Sequence, residues 1–202
     1  MGKLFVANSE GGYMEAKDQE ILEAAHFAAR RRLKKGDLFN SREIAKELLP
    51  ALLAGKDYEV FCVAFLDAHS RLISFDEMFR GTITQTPVYV REVMKRALDL
   101  HAVNLIMVHN HPTGYAKPSK PDMMMTIKMK MAAQLFEIEL LDHFIVAGDE
   151  VGSMYEDGDM DKGALLKIML EEIAENFGAE AKIVDMTKKD HNLIDRVRKM
   201  MS

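Results

Sequence analysis

This sequence is short of cysteine, of net positive charge and of long apolar runs, and each shortage closes off a class of protein. Cys62 is the only cysteine in 202 residues, so an intrachain disulfide framework is impossible and the chain suits a reducing cytoplasm. No apolar run approaches the length needed to span a bilayer, so no membrane partner is expected. The N-terminus, MGKLFVANSE, has a lysine but no sustained apolar segment, which argues against a secretory leader. Val6 stands where a myristoylation signal needs serine or threonine. Lys and Arg total 27 against 32 Asp and Glu, a formal net charge of −5. No global field therefore draws the chain to nucleic acid, and direct DNA binding is disfavoured. What remains is 48% hydrophobic and 29% charged, the balance of a soluble globular domain rather than a disordered chain.

The periodicity predicts a mixed chain. Residues 1–14 read as loosely held. Glu15–Lys35 is helical, with Ile21, Ala25, Ala28 and Leu33 on one face and Gly36 to end it. The cations of ARRRLKKG oppose the negative end of that helix. A second helix follows in FNSREIAKELLPALLAG, with Ser41 as N-cap, a stripe of Ile44, Leu48 and Leu52, and Pro50 placed to kink or shorten it. The period then changes. YEVFCVAFLD (58–67) and RLISFDEMFRG (71–81) read as a hairpin. A helix from Tyr89 to His101 turns Val90, Val93, Met94, Ala97 and Leu98 inward. VNLIMVHNH (103–111) is a central buried strand. A long helix over Lys120–Phe136 and two short strands around Gly148-Asp149 come next. Leu165, Met169, Ile173 and Phe177 mark a helical tail, with a further segment at Lys188–Met201. One α/β domain results, a mixed β-sheet flanked by helices on both faces, with extra helices at both termini.

The stretch MVHNHPTGYAKPSKPD (107–122) stands out. Alternate side chains share a face of a strand, so His109 and His111 are neighbours with Asn110 on the other side. Two imidazoles at the C-terminal end of a strand can hold one divalent cation. Pro112, Gly114 and Pro118 suit a turning loop that folds Asp122, in the first turn of the next helix, back over them. A His2Asp set leaves one tetrahedral position for water, the pattern of catalytic rather than structural zinc. Manganese, nickel and iron also accept such donors. Each half has a plain alternative. Ser119-x-x-Asp122 is also an N-cap with an acid in the first turn, and two histidines two apart arise by chance. The combined spacing is far more demanding.

That combination, HNHP, six residues, Ser119, two residues, Asp122, resembles the signature of the JAMM or MPN-type metalloproteases. YEVFCVAFLDAHSRLI, MFRGTITQTPVYVREVMKRAL, LIMVHNHPTG, PSKPD and IELLDHFIVAGD look like blocks of the RadC-like bacterial branch of that family, in the family's order. They cover roughly Phe39 to Tyr155. The resemblance implies a three-layer fold like that of the cytidine deaminases, with a JAB/MPN domain over 39–157 between helical extensions at 1–38 and 158–202. It implies one zinc ion per chain on His109, His111 and Asp122, and hydrolysis of a peptide or isopeptide bond in an unidentified peptide or protein substrate. Glu59 matches the family's glutamate that hydrogen-bonds the metal-bound water, and would serve as general base and then acid. Ser119 would donate to the oxyanion. Without the resemblance, Glu59 ranks below Glu77 on the partner strand, which stays as the alternative base.

Other residues read more quietly. Asp142 and His143 are placed to organise a strand edge, with Asp142 a candidate acceptor for a metal-bound imidazole. His26, His69, His101 and His191 read as surface residues, Cys62 as core. The methionines of PDMMMTIKMKM read mainly as adaptable packing, a partner surface being the lesser option. The zinc deaminases are set aside because their cysteine ligands are missing. The resemblance also carries an association with DNA repair, under which the domain would be an interaction module with a retained or idle metal site. Its usual helix-hairpin-helix module is not recognisable in the first 55 residues. The terminal helices could cap the sheet, build a homodimer or hold a partner, and their periodicity chooses none of these.

Overall fold

Two segments set the architecture. VFCVAFL (β3, Val60–Leu66) and NLIMVHN (β5, Asn104–Asn110) are buried at every position, as near-continuous apolar strands are when helices cover both faces of a sheet. They pair antiparallel, with Phe61 opposite His109 and Leu66 opposite Asn104. β4 (Leu72–Arg80) forms the antiparallel hairpin on β3. β6 (Glu139–Ala147) runs parallel to β5, and β7 (Glu150–Ser153) antiparallel to β6. The result, in a computed structural model that describes residues 3–7, 9, 11–33, 42–81 and 88–177, is a mixed five-stranded sheet in the order β4-β3-β5-β6-β7. The one parallel pair needs a crossover, and α4 (Lys120–Leu135) supplies it.

The two-residue period of β3 and β5 sorts the core into two layers. Val60, Cys62, Ala64 and Leu66, with Ile106 and Val108, face α2 (Arg42–Leu53), behind which α1 (Asp18–Leu33) adds Ala29 and Leu33. Phe61, Val63, Phe65, Leu105 and Met107 face the opposite way, against Val93, Met94 and Ala97 of α3 (Val90–Asp99) and Met129 and Ala133 of α4. α5 (Lys162–Phe177) packs outside α4. Among the described residues no helix is long and apolar enough to cross a membrane.

The structure departs from the sequence expectations in a few places. Residues 1–14 are not merely loose: β1 (Phe5–Ala7) pairs with β2 (Tyr13–Glu15) in a small antiparallel hairpin. α1 buries Ala29 with Leu33, one turn apart, and leaves Ala28 outside. Leu98 is 46% exposed rather than core, because Val93, Met94 and Ala97 already fill the inward face of a helix that buries one side only. α2 runs through Pro50 to Leu53 without ending. β3 begins at Val60, two residues later than expected. Gly36, Ser41, His191 and the segment Lys188–Met201 lie outside the described residues.

One buried carboxylate ties three elements together. Asp142, 1% exposed, accepts from the Ser153 hydroxyl (2.7 Å), the His143 N–H (2.7 Å), the Tyr155 N–H (3.1 Å) and Arg42 Nε of α2 (3.2 Å). The Arg42 guanidinium lies 4.0 Å over the Tyr155 ring. The expectation that Asp142 organises the strand edge agrees with this. Asp142→Ala would leave buried donors unpaired and should cost about 2–3 kcal/mol in urea denaturation. Arg42→Ala, whose side chain is partly in water, should cost about 1 kcal/mol or less.

Candidate metal centre

The C-terminal end of β5 is where the core becomes polar. His109 shares the face of Leu105 and Met107, and its ring stacks on Phe61 with centroids 6.2 Å apart and planes 19° apart. His111 continues the ladder, its N–H bonded to the Val146 carbonyl at 2.8 Å. A turn then forms, closed by Gly114 N–H to His111 C=O at 3.1 Å, with Gly114 at φ +87°, where a side chain would be strained. The chain passes so close to β7 that a Cβ on Gly152 would stand 2.1 Å from the Ala116 carbonyl oxygen. Only glycine admits that approach, and it sets where the loop delivers the first turn of α4.

That first turn carries both plain and functional features. Ser119 caps α4, and Asp122 completes a capping box by accepting from the Ser119 N–H at 2.7 Å and from the Ser119 hydroxyl. The same carboxylate reaches over the strand end. His109 Nε2 lies 3.2 Å from Asp122 Oδ1, His111 Nε2 lies 3.4 Å from Asp122 Oδ2, and the two Nε2 atoms are 2.8 Å apart. His109, His111 and Asp122 thus form a three-residue group that could hold a metal ion. Ligand atoms around a tetrahedral zinc stand about 3.3 Å apart, given bonds of about 2.0–2.2 Å. Each histidine–carboxylate contact is near that spacing, to a different oxygen of Asp122, and the imidazole pair needs to open by about half an ångström.

Hydrogen bonds around the group set where its hydrogens and charges lie. His111 Nδ1 lies 2.7 Å from the Tyr115 carbonyl, which can only accept, so Nδ1 carries the hydrogen and the neutral ring turns its lone pair inward. The Asp122 bond raises the His111 pKa above 6.5 against the opposing effect of burial, with the Tyr115 carbonyl and the Asp122 and Glu59 charges adding. Burial resists the Asp122 charge, but the bonds to His109, His111 and Ser119 hold its carboxyl well below the usual range. Behind His109 stands His143, wholly buried, with Nε2 2.8 Å from His109 Nδ1. Burial, with the neighbouring imidazoles, keeps the His143 pKa well below 6.5.

The sequence reading misassigned that second imidazole. Asp142 does not reach the site, because adjacent residues of a strand face opposite sides, and the β6 register sets His143, beside Met107, on the His109 face. Parity against β5 was the signal that could have found it. Asn110 also does more than shape the loop. Its side chain accepts from Val60 N–H at 2.7 Å and donates to the Tyr58 carbonyl at 3.0 Å, gripping the backbone on both sides of Glu59. Glu59, just before β3, shares the parity of Phe61 and so falls level with His111. Its carbonyl accepts from Gly81 N–H at 2.9 Å, which ties it to the residue just after β4. Glu77 pairs with Cys62 on the opposite face and binds Lys56 at 3.0 Å and Arg80. Burial pushes the Cys62 thiol up to about 12, and the Glu77 charge adds to the rise. Ser119 is exposed at the rim.

A family model described as RadC-like JAB domain matches residues 39–159. The chain is 43% identical over 153 residues to a UPF0758 protein of Herminiimonas arsenicoxydans, covering 76% of this chain and 68% of that one. It is 46% identical over 140 residues to one of Leptothrix cholodnii, 69% and 63% of the two chains, and 44% identical over 143 residues to one of Nitrosomonas eutropha, 71% and 64%. The chain thus spans about two thirds, or slightly less, of the length of these curated relatives. With that match and a mixed sheet whose central strand ends in the His-x-His pair, this chain belongs to the RadC-like JAB domain family.

Proposed function

We propose that this chain is a zinc-dependent metallohydrolase of the JAMM type, cleaving a peptide or isopeptide bond. The observation that carries the reading is the convergence of His109 Nε2, His111 Nε2 and one Asp122 oxygen at the mouth of the central strand. The donor set, two imidazoles and a carboxylate, fits zinc by chemistry. When bound, zinc polarises a carbonyl and brings the pKa of coordinated water to about 7.

The chain's own residues supply the rest. Glu59, set level with His111 and gripped through its backbone by Asn110, takes the proton of the attacking water and returns it to the leaving amine. The Ser119 hydroxyl donates to Asp122 in the resting arrangement. Rotation about one side-chain bond frees it to donate to the developing oxyanion. The aromatic ring of Phe61 under His109 and His143 lowers the local dielectric, which strengthens these interactions.

The test is metal content and product formation from a peptide library, read by mass spectrometry. Glu59→Gln should keep the metal of the wild type and lose turnover by at least about 10²-fold. Full turnover in that variant removes Glu59 from the mechanism, and absence of products from zinc-loaded wild type removes the hydrolase reading. Ser119→Ala should cost about 1 kcal/mol through the lost cap and lower turnover by about 10²-fold.

Zinc affinity should also rise with pH. The raised His111 pKa means that the metal-free cluster keeps a proton above 6.5, which the ion must displace. In the metal-free protein that proton contributes stability present in full below pH 6.5 and lost as pH rises through the raised value. The gain in melting temperature on adding zinc should therefore be larger at about pH 8 than at about pH 6, as scanning calorimetry with and without the ion would show.

A further inference from the structure

The hydrogen bonds behind His109 have a direction, and it is set at their far end. Thr126, fully buried one turn after Asp122 in α4, has Oγ1 2.8 Å from the Asp122 backbone carbonyl and 2.7 Å from His143 Nδ1. A carbonyl oxygen has no hydrogen to give, and a hydroxyl has one. Oγ1 also lies 3.5 Å from Met154 Sδ, a weaker acceptor than the carbonyl; whichever of the two takes the one hydrogen, Oγ1 must accept from His143. His143 Nδ1 therefore carries a hydrogen. The His143 ring is completely buried, with its two nitrogens facing a hydroxyl and an imidazole, neither of them anionic. A cationic ring there would be an uncompensated buried charge. Its Nε2 is consequently bare and accepts, and the partner 2.8 Å away, His109 Nδ1, must donate.

We infer that His143 and Thr126 are positioning residues that lock His109 in its Nδ1–H tautomer, so that its Nε2 is presented as a metal ligand before any ion arrives. The inference deepens, and rests on, the metal reading of the site. Run in the opposite sense, the same three bonds would place a hydrogen on His109 Nε2 and block the position facing His111 and Asp122. The chain of bonds begins at the backbone of one ligand residue and ends in the ring of another, so it also registers α4 against β5. The acceptor behind the ligand is a neutral imidazole. A carboxylate, the commoner partner of a metal-bound histidine, would add a negative charge that this site does without.

The test uses the full chain stripped of metal and labelled with 15N, with the ring nitrogens read by long-range proton–nitrogen correlation and assigned by single histidine substitutions. His109 and His143 should both carry their hydrogen on Nδ1 in the wild type. Zinc affinity is then measured by competition with a chromophoric chelator. His143→Phe, which fills the space but cannot accept, and the near-isosteric Thr126→Val should each bind about 10–100-fold more weakly. His143→Gln, which can accept from His109 and donate to Thr126, should keep most of the affinity. A melting temperature for each variant separates loss of fold from loss of the tautomer. A bare His109 Nδ1 with the hydrogen on Nε2 in the wild type, or wild-type affinity in both Thr126→Val and His143→Phe, overturns the inference. If the wild type binds no zinc, the metallohydrolase reading falls and the ring tautomers alone decide this one.

Discussion

The alternation of side chains along one buried strand is the constraint on which the rest depends. β5 presents His109 on the α4 side and Asn110 on the α2 side. A slip of one residue would exchange them. The imidazole would then face the α2 layer, away from Asp122, and the amide could no longer grip the chain around Glu59. The apolar run before it prevents that slip, since Leu105 to Val108 fill two cores of different shape on the two faces. Hydrophobic packing of four residues thus fixes the placement of polar ones at the strand end.

The cluster opposes folding when it holds neither a cation nor a proton. Two imidazole lone pairs 2.8 Å apart beside a carboxylate are a poor arrangement without a cation or a proton between them. The surrounding structure holds it from several sides. The capping box fixes Asp122 to the helix it begins, the Tyr115 carbonyl fixes His111, and His143 fixes His109. The close pass of Ala116 over Gly152 anchors the loop between them. Each restraint is local and lies within the chain itself, so the three side chains are held together by their own surroundings.

Much of this was legible in the sequence, for identifiable reasons. The central strands were visible because burial on both faces leaves no polar residue to interrupt Val60–Leu66 or Leu105–Val108. The grouping of His109, His111 and Asp122 was visible because a two-residue strand period and a first-turn acid are local rules. What failed were properties that depend on register between strands distant in sequence. Choosing His143 over Asp142 requires knowing that Met107 lies beside His143, and the preference for Glu59 over Glu77 came from the family resemblance, since the pairing of Glu77 with Cys62 is a register the sequence alone does not give. The β1–β2 hairpin escaped notice because its six residues alternate weakly and bury almost nothing. The grip of Asn110 on the chain around Glu59 was not legible, because strand parity gives the face of a side chain but not its hydrogen-bond partners; here its amide replaces a ladder rung at the point where β3 begins.

The parallel pairing of β5 with β6 explains why the site sits at this end of the sheet. Parallel neighbours joined by a helix place that helix's N-terminus beside the carboxyl end of the first strand. The positive end of the α4 dipole therefore lies at the mouth of β5, where it favours the Asp122 carboxylate. The same crossover brings Thr126, one turn further along, back over β6 to meet His143. Asp122 and Thr126 are four residues apart on one helix face, and His109 and His143 are neighbours across one ladder. The three-residue group and the restraint behind it are thus two levels of a single strand–helix–strand unit, with Ser119 exposed at its rim.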